Sequence, residues 1–217
     1  MPCARVWYPF FVKTPFQPAF ELNDARALAD KLGVELVVIQ LDPLSLPEVQ
    51  RNDAQRCYYC KREILGAIES AANERGIGTL IDGNNASDDA SDRQGMRAVE
   101  EMGVRSPLRE CGITKAQVRA LSREAGLFTW DKPAYACLAT RVPTGTAITR
   151  AALIRVERAE SALTDLGFRD FRVRDLGSAA RLEVTETQLP LVLEKRAQVL
   201  GALSEFGRVT LDLNPRG

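Results

Sequence analysis

The stretch 21–41 limits the fold more than any other. In ELNDARALADKL the apolar residues Ala25, Leu28, Ala29 and Leu32 recur at helical spacing, and Gly33 follows as a stop. VELVVIQL, residues 34–41, then reads as a buried strand rich in β-branched residues. The rhythm continues with a predicted helix from about Tyr58 to Arg75 and a short strand from Thr79 to Asp82. That strand ends in the turn Gly83-Asn84-Asn85, and two helices follow at about 88–102 and 114–125. Helix and strand in alternation predict an α/β fold with a parallel sheet.

Residues 131–145 (DKPAYACLATRVPTG) read as a loop, and beyond it the pattern changes. A helix at about 149–166 precedes strands at 170–175 and 180–185, a helix at about 187–204 and a strand at 208–213. Two adjacent short strands predict a small α+β domain with an antiparallel sheet. The change falls near 142–148, so residues 1–144 and 145–217 are expected to be separate domains. There is no internal repeat and no low-complexity tract.

Composition removes several function classes. Lys+Arg and Asp+Glu both number 29, so no global basic field exists to hold nucleic acid by its phosphates. No apolar run reaches the roughly 18 residues that span a membrane. The apolar N-terminus is interrupted by Pro2, Arg5, Pro9, Lys13, Pro15 and Pro18, which is not the pattern of a secretory signal. A cytoplasmic location with reduced thiols is therefore expected. The chain has no histidine. That excludes Ser-His-Asp and Cys-His nucleophiles, histidine-ligated zinc and any histidine acid–base step. Metal chemistry must run on Cys, Asp or Glu.

The cysteines are Cys3, Cys57, Cys60, Cys111 and Cys137. Cys57 and Cys60 form a C-x-x-C in RCYYCK, a spacing from which two thiols reach one metal centre. The same pair also fits two small half-buried hydrophobes or a redox dithiol. Cys137, in AYACLATR, adds a third thiol. Three thiolates suit a [4Fe–4S] cluster with one open iron, or a zinc site closed by Cys111. Cys3 and Cys111 otherwise read as bystanders.

Other residues carry a chemical and a bland reading side by side. Asp82 and Asn85 end a strand, where α/β sheets place ligands, but Gly-Asn-Asn is a good turn in any fold. Asp88, Asp89 and Asp92 precede a helix, where carboxylates serve as caps or, for one of them, as a Mg²⁺ ligand. Arg172 and Arg174 alternate on a strand and share a face, with Arg181 on the next strand. They fit a phosphate clamp, or a solvated face paired with Asp175 and Glu183. Lys132 and Arg141 flank Cys137, favouring thiolate and attracting an anionic substrate, or simply keeping a loop soluble.

Four motifs in order, RCYYCKREIL, DGNNASDDASDRQGMRAVEEMGVRSPL, ITKAQVRALSREAGL and WDKPAYACLATRVPTG, resemble the LarE-type ATP-dependent sacrificial sulfur transferases of the PP-loop ATP pyrophosphatase superfamily. The resemblance runs on through AESALTDLGFRDFRVRDLGSAARLEV and covers about residues 21–213. It implies a Rossmann-like parallel-sheet domain followed by a small α+β domain for substrate binding and oligomerisation. It also implies ATP-dependent adenylation of a carboxylate of pyridinium-3,5-biscarboxylic acid mononucleotide, then replacement of oxygen by sulfur, in making a nickel-pincer nucleotide cofactor. Cys57, Cys60 and Cys137 match the three-cysteine pattern, which implies a [4Fe–4S] cluster that delivers sulfide from its open iron. Arg172, Arg174 and Arg181 with Glu160 match the substrate phosphate site, and Asp82 and Asn85 lie in the turn near the nucleotide. A homo-oligomer is implied as well.

One departure is plain. The family's S-G-G-x-D-S loop, whose backbone amides cradle ATP phosphates, occurs nowhere, and the first glycine is Gly33. The first strand, the loop and its helix are expected to be absent or replaced within residues 1–20. ATP and Mg²⁺ would then act as co-substrate only if such a loop were supplied, and little or no pyrophosphate release is expected from this chain. The competing readings are a non-catalytic cluster- and nucleotide-binding remnant and a tRNA-thiolating relative. Zero net charge counts against the latter.

Overall fold

Aromatic and β-branched side chains start a strand earlier than the sequence pattern indicates. Phe10–Lys13 (FFVK) forms β1, and Val37–Gln40 forms β2 in parallel with it, from Phe10 opposite Val37 to Lys13 opposite Gln40. These and the following elements come from a computed structural model, which describes residues 7–88 and 93–216. Helix α1 (Ala19–Leu32) makes the crossover between the two strands. Gly33 ends α1 at φ 65°, and its N–H turns back to the Ala29 and Asp30 carbonyls. Only a residue without Cβ adopts that left-handed stop at no steric cost.

The chain divides into two compact units. The first takes the residues up to Pro43 together with Gln55–Lys132. Leu44–Ala54, which includes the short helix α2 (Pro47–Gln50), belongs to the second unit with the residues from Pro133 onward.

In the first unit α3 (Arg56–Asn73) packs on α4 (Arg93–Glu101). Leu65, Val99 and Val104 are buried between them, with Ile68, Leu80 and Met102 around the edge. Burial of side chains this size contributes about 1.5–3 kcal/mol each. The strand expected at 79–82 is reduced to a single parallel bridge, Ile81 to Arg105. Two bonds flank it, Arg105 N–H to Leu80 O (3.0 Å) and Asp82 N–H to Arg105 O (2.9 Å). Helix α5 (Pro107–Glu110) and α6 (Lys115–Glu124) complete the unit. Thr114 and Gln117 cap α6 reciprocally.

In the second unit α7 (Arg150–Asp165) starts at Thr149, whose hydroxyl accepts from Ala152 N–H at 3.1 Å. Its inner face, Leu153, Val156 and Leu163, is buried. So are Val173 of β3 (Arg172–Asp175) and Ala180 and Leu182 of β4 (Ala179–Glu183). Strands β3 and β4 form an antiparallel hairpin, as the sequence pattern predicts. The sheet itself is mixed, because β5 (Arg208–Leu211) joins β4 in parallel. A parallel partner requires a crossover, and helices α8 (Leu189–Glu194) and α9 (Arg196–Ala202) supply it. The single helix expected at 187–204 is thus broken at Lys195, which leaves helical geometry and donates to Leu166 O at 2.7 Å.

Candidate functional site

Cys137 stands just before a short 3-10 turn, Leu138–Arg141, in the second unit. Its carbonyl accepts from Thr140 N–H (3.0 Å) and the Thr140 hydroxyl (2.8 Å). Arg141 closes the turn from beneath. Its guanidinium donates to Ala136 O (3.0 Å), the Thr140 hydroxyl (2.8 Å) and, more weakly, Cys137 O (3.5 Å).

The other side of that guanidinium meets Glu160 of α7 in a bidentate pair, Nε to Oε1 at 2.7 Å and a terminal N–H to Oε2 at 3.0 Å. The side chains of Arg141 and Glu160 are 0% and 5% exposed. Glu160 Oε1 also accepts from Val173 N–H of β3 at 2.9 Å, and Oε2 accepts from the Tyr135 hydroxyl. A buried carboxylate needs its lone pairs filled, and here one glutamate ties the Cys137 turn to both α7 and β3. Burial alone disfavours the Arg141 cation. Hydrogen bonding and charge from Glu160, with smaller help from Tyr135 and Cys137, outweigh it and hold Arg141 firmly protonated. Burial, then the Glu160 charge, pushes the Tyr135 hydroxyl far above the usual tyrosine range.

Tyr135 is a site residue that sequence reading missed. Its ring lies under two guanidiniums, Arg141 at 4.7 Å and Arg172 at 5.6 Å. The available signal was an aromatic two residues before the loop cysteine.

Arg172 and Arg174 share a face of β3, as the strand period predicts. They do different work there. Arg172 turns inward, donating to Phe171 O (2.8 Å) and Ala134 O (2.9 Å), and its side chain is 7% exposed. Burial first, then the positive charges of Arg141 and Arg216, push its pKa down to about 10. Arg174 and Arg181 stay in reach of solvent, at 29% and 43%. They face each other directly across the hairpin, an arrangement that repels unless an acid is shared. Glu183 is that acid: Oε1 accepts from Arg174 Nε at 2.9 Å and from Arg181 at 3.3 Å. Arg174 also donates to Thr140 O at 2.6 Å, which links the arginine face to the Cys137 turn. Asp175 looks to the other side and pairs with Arg155 of α7.

Cys57 and Cys60 lie on the first turn of α3, in the first unit. Three residues apart, they occupy one helix face. Arg56 donates to Cys57 Sγ at 3.3 Å. Beside them Tyr58 is buried, donates to Glu101 (2.6 Å), and carries Arg97 over its ring at 3.8 Å. Cys57, Cys60, Cys111 and Cys137 are thiols and not disulfides. Among the described residues, no group of three Cys, Asp or Glu side chains gathers within either unit as a metal site. Cys3, Asp89 and Asp92 lie outside the described residues.

Asp82 and Asn85 are engaged in their own turn. Asp82 accepts from Asn84 N–H (3.1 Å) and the Ser106 hydroxyl (2.7 Å). Asn85 accepts from Ser87 N–H (2.9 Å), and its own N–H reaches Asp88 (2.7 Å). Lys132 belongs to the first unit, where it pairs with Asp24 and Glu21 of α1 and sits over the Phe20 ring.

No family model matches the chain. Comparison with curated proteins is decisive. The chain is 34% identical over 195 residues to the pyridinium-3,5-bisthiocarboxylic acid mononucleotide synthase of Lactiplantibacillus plantarum, covering 89% of this chain and 71% of that enzyme. The chain belongs to the LarE family. Other relatives extend it. An uncharacterised protein of Synechocystis is 38% identical over 197 residues, 89% of this chain and 74% of that protein. Another from Methanocaldococcus jannaschii is 27% identical over 197 residues, 91% of this chain and 75% of that protein. Membership makes this a sulfur-transferase relative, and no described helix is long and apolar enough to cross a membrane.

Proposed function

We propose that this LarE-family chain replaces carboxylate oxygen by sulfur on pyridinium-3,5-biscarboxylic acid mononucleotide, in the making of a nickel-pincer nucleotide. The observation that carries the reading is the 34% identity to the synthase named for the bisthiocarboxylate product. The second unit supports it with matching chemistry. A negatively charged nucleotide meets Arg174 and Arg181, while Arg172, Arg141 and Glu160 hold the adjoining turn that carries Cys137. Arg174 bonds the turn itself, so an anion seated on the arginines lies next to the cysteine segment.

The sulfur source in this reading is an iron–sulfur cluster held by Cys57, Cys60 and Cys137. Their chemistry fits: all three are half-buried thiols and no histidine competes. When bound, such a cluster supplies sulfide from its open iron. The chain's own part is to hold the thiolates, orient the nucleotide and keep a fixed cation, Arg141, at the turn. Activation by ATP–Mg²⁺, with adenylate as leaving group, completes the scheme only where a phosphate-cradling loop is supplied, since residues 1–217 contain no S-G-G-x-D-S. The truncated PP-loop form of a Rossmann-like domain, the nucleotide contacts of Asp82 and Asn85, the anion-attracting role of Lys132 and a cytoplasmic homo-oligomer belong to the same proposal.

The test is anaerobic purification followed by iron and acid-labile sulfide analysis, with Cys57→Ser, Cys60→Ser and Cys137→Ser made singly. The reading expects a brown protein and loss of iron in each variant. A colourless zinc protein, or iron unaffected by Cys137→Ser, overturns the cluster.

A further inference from the structure

Within the C-x-x-C of α3, Tyr58 is buried, while Cys57, Tyr59 and Cys60 are half-buried. The helix period explains the difference. Tyr58, Leu65 and Ala72 are the buried residues of α3, and their spacing of seven puts them on one face. Leu65 shows that this face meets α4, because it packs against Val99 there. Tyr58 lies about 100° round the helix from Cys57 and about 160° from Cys60. The two thiols are therefore off the packed stripe, on a face of their own.

The first rung of that stripe is polar, and α4 holds it twice. The Tyr58 hydroxyl donates to Glu101 Oε2 at 2.6 Å and accepts from Arg62, one turn along α3, at 3.1 Å. Arg97 covers the Tyr58 ring at 3.8 Å, and its Nε lies 3.1 Å from Glu101 Oε1. Ring and hydroxyl are thus fixed by one ion pair of α4. The turn they fix is the part of a helix that opens most readily, since its N–H groups lack full intrahelical partners. Here Tyr58 N–H and Tyr59 N–H share one acceptor, Gln55 O, at 3.0 and 3.3 Å.

We infer that Tyr58 is a positioning residue for the thiol pair Cys57 and Cys60. Through Glu101 and Arg97 it pins the first turn of α3 to α4, so that both thiols stay on one face at a spacing one metal centre can bridge. This inference rests on the proposed ligand role of the two cysteines.

The experiment compares the full chain, freed of metal by chelation, with its Tyr58→Phe and Glu101→Ala variants. Amide hydrogen exchange is followed by NMR, and phenylarsine oxide is titrated in under anaerobic conditions. This arsenical forms two S–As bonds with a thiol pair and releases water. Tyr59 N–H is expected to exchange about tenfold faster in both variants, the value of one hydrogen bond to a charged group. Glu74 N–H, bonded to Ser70 O at the far end of α3, is expected to keep its rate. Arsenical held across Cys57 and Cys60 is expected to weaken by a similar factor. A helix that is merely destabilised would quicken both amides alike. Unchanged Tyr59 exchange, unchanged arsenical affinity, or equal acceleration of Tyr59 and Glu74 overturns the inference and leaves the ligand reading standing. If the amides and the arsenical respond as expected while Cys57→Ser and Cys60→Ser keep their iron, the ligand reading fails and the clamp stands. The Glu101 side chain is 45% exposed, so its variant decides even where Tyr58→Phe does not fold.

Discussion

Replacing Glu160 by glutamine tests the reading of the Cys137 turn at its buried hinge. The change keeps size and shape and removes a charge. Oε1 of the amide can still accept from Arg141 Nε and Val173 N–H. The amide NH2 that replaces Oε2 accepts neither from the second Arg141 nitrogen nor from the Tyr135 hydroxyl, and it presents a donor to both. Arg141 is then a fully buried cation without its counter-charge. Breaking one partner of such a pair costs about 3–5 kcal/mol. Glu205→Gln breaks the Arg158 pair, whose side chains are 70% and 50% exposed, and is expected to cost less than about 1 kcal/mol. Urea unfolding of both variants beside the wild type, followed by tyrosine fluorescence and far-ultraviolet dichroism, makes the comparison. Equal losses of under about 1 kcal/mol for both would refute the claim that Glu160 anchors the turn.

Tyr135→Phe is expected to cost about 1.5–3 kcal/mol at neutral pH, the worth of a hydrogen bond to a charged acceptor. Because the folded tyrosine titrates above its ordinary range, its stabilisation is whole below about pH 10 and is lost above it, by about 1.4 kcal/mol per pH unit. The gap between wild type and variant in urea melts should therefore shrink above about pH 10, and a constant gap contradicts the assignment. Asn52→Ala is expected to cost about 2–4 kcal/mol. Asn52 is buried at φ 57°, and its amide holds the carbonyls of Val142, Pro143 and Thr146. A loss below about 1 kcal/mol would show that the loop does not depend on it. Pyrophosphate release from ATP by this chain alone, measured with the biscarboxylate nucleotide present, is expected to be little or none. Turnover like that of a loop-bearing enzyme would show another phosphate cradle.

Local chemistry was legible where one residue dictates it. Gly33 stops α1 in the left-handed conformation that only glycine adopts freely, and the period of β3 puts Arg172 and Arg174 on one face. What distance in sequence controls was not. β1 exists because Phe10–Lys13 finds β2 beyond a whole helix, and the prolines around it masked the strand. The 44–54 segment joins the second unit through Asn52, about ninety residues from the carbonyls it binds. Glu160 reads on α7 as a charged residue among apolar ones. Its burial follows from Arg141 and Tyr135, which reach it from the loop. Arg216 sits at the end of the chain with no periodic pattern to mark it, and only the return of the chain beside β4 brings it to Glu183.

The measurement that reaches the central claim most directly is calorimetric titration of this chain with pyridinium-3,5-biscarboxylic acid mononucleotide, at two salt concentrations. Arg174→Ala and Glu205→Gln serve as variants. The account predicts saturable binding that weakens with salt, falls about tenfold or more in Arg174→Ala and is unchanged in Glu205→Gln. Absence of binding, or equal binding in wild type and Arg174→Ala, would contradict the claim that the second unit holds a sulfur-transferase nucleotide on its arginine face.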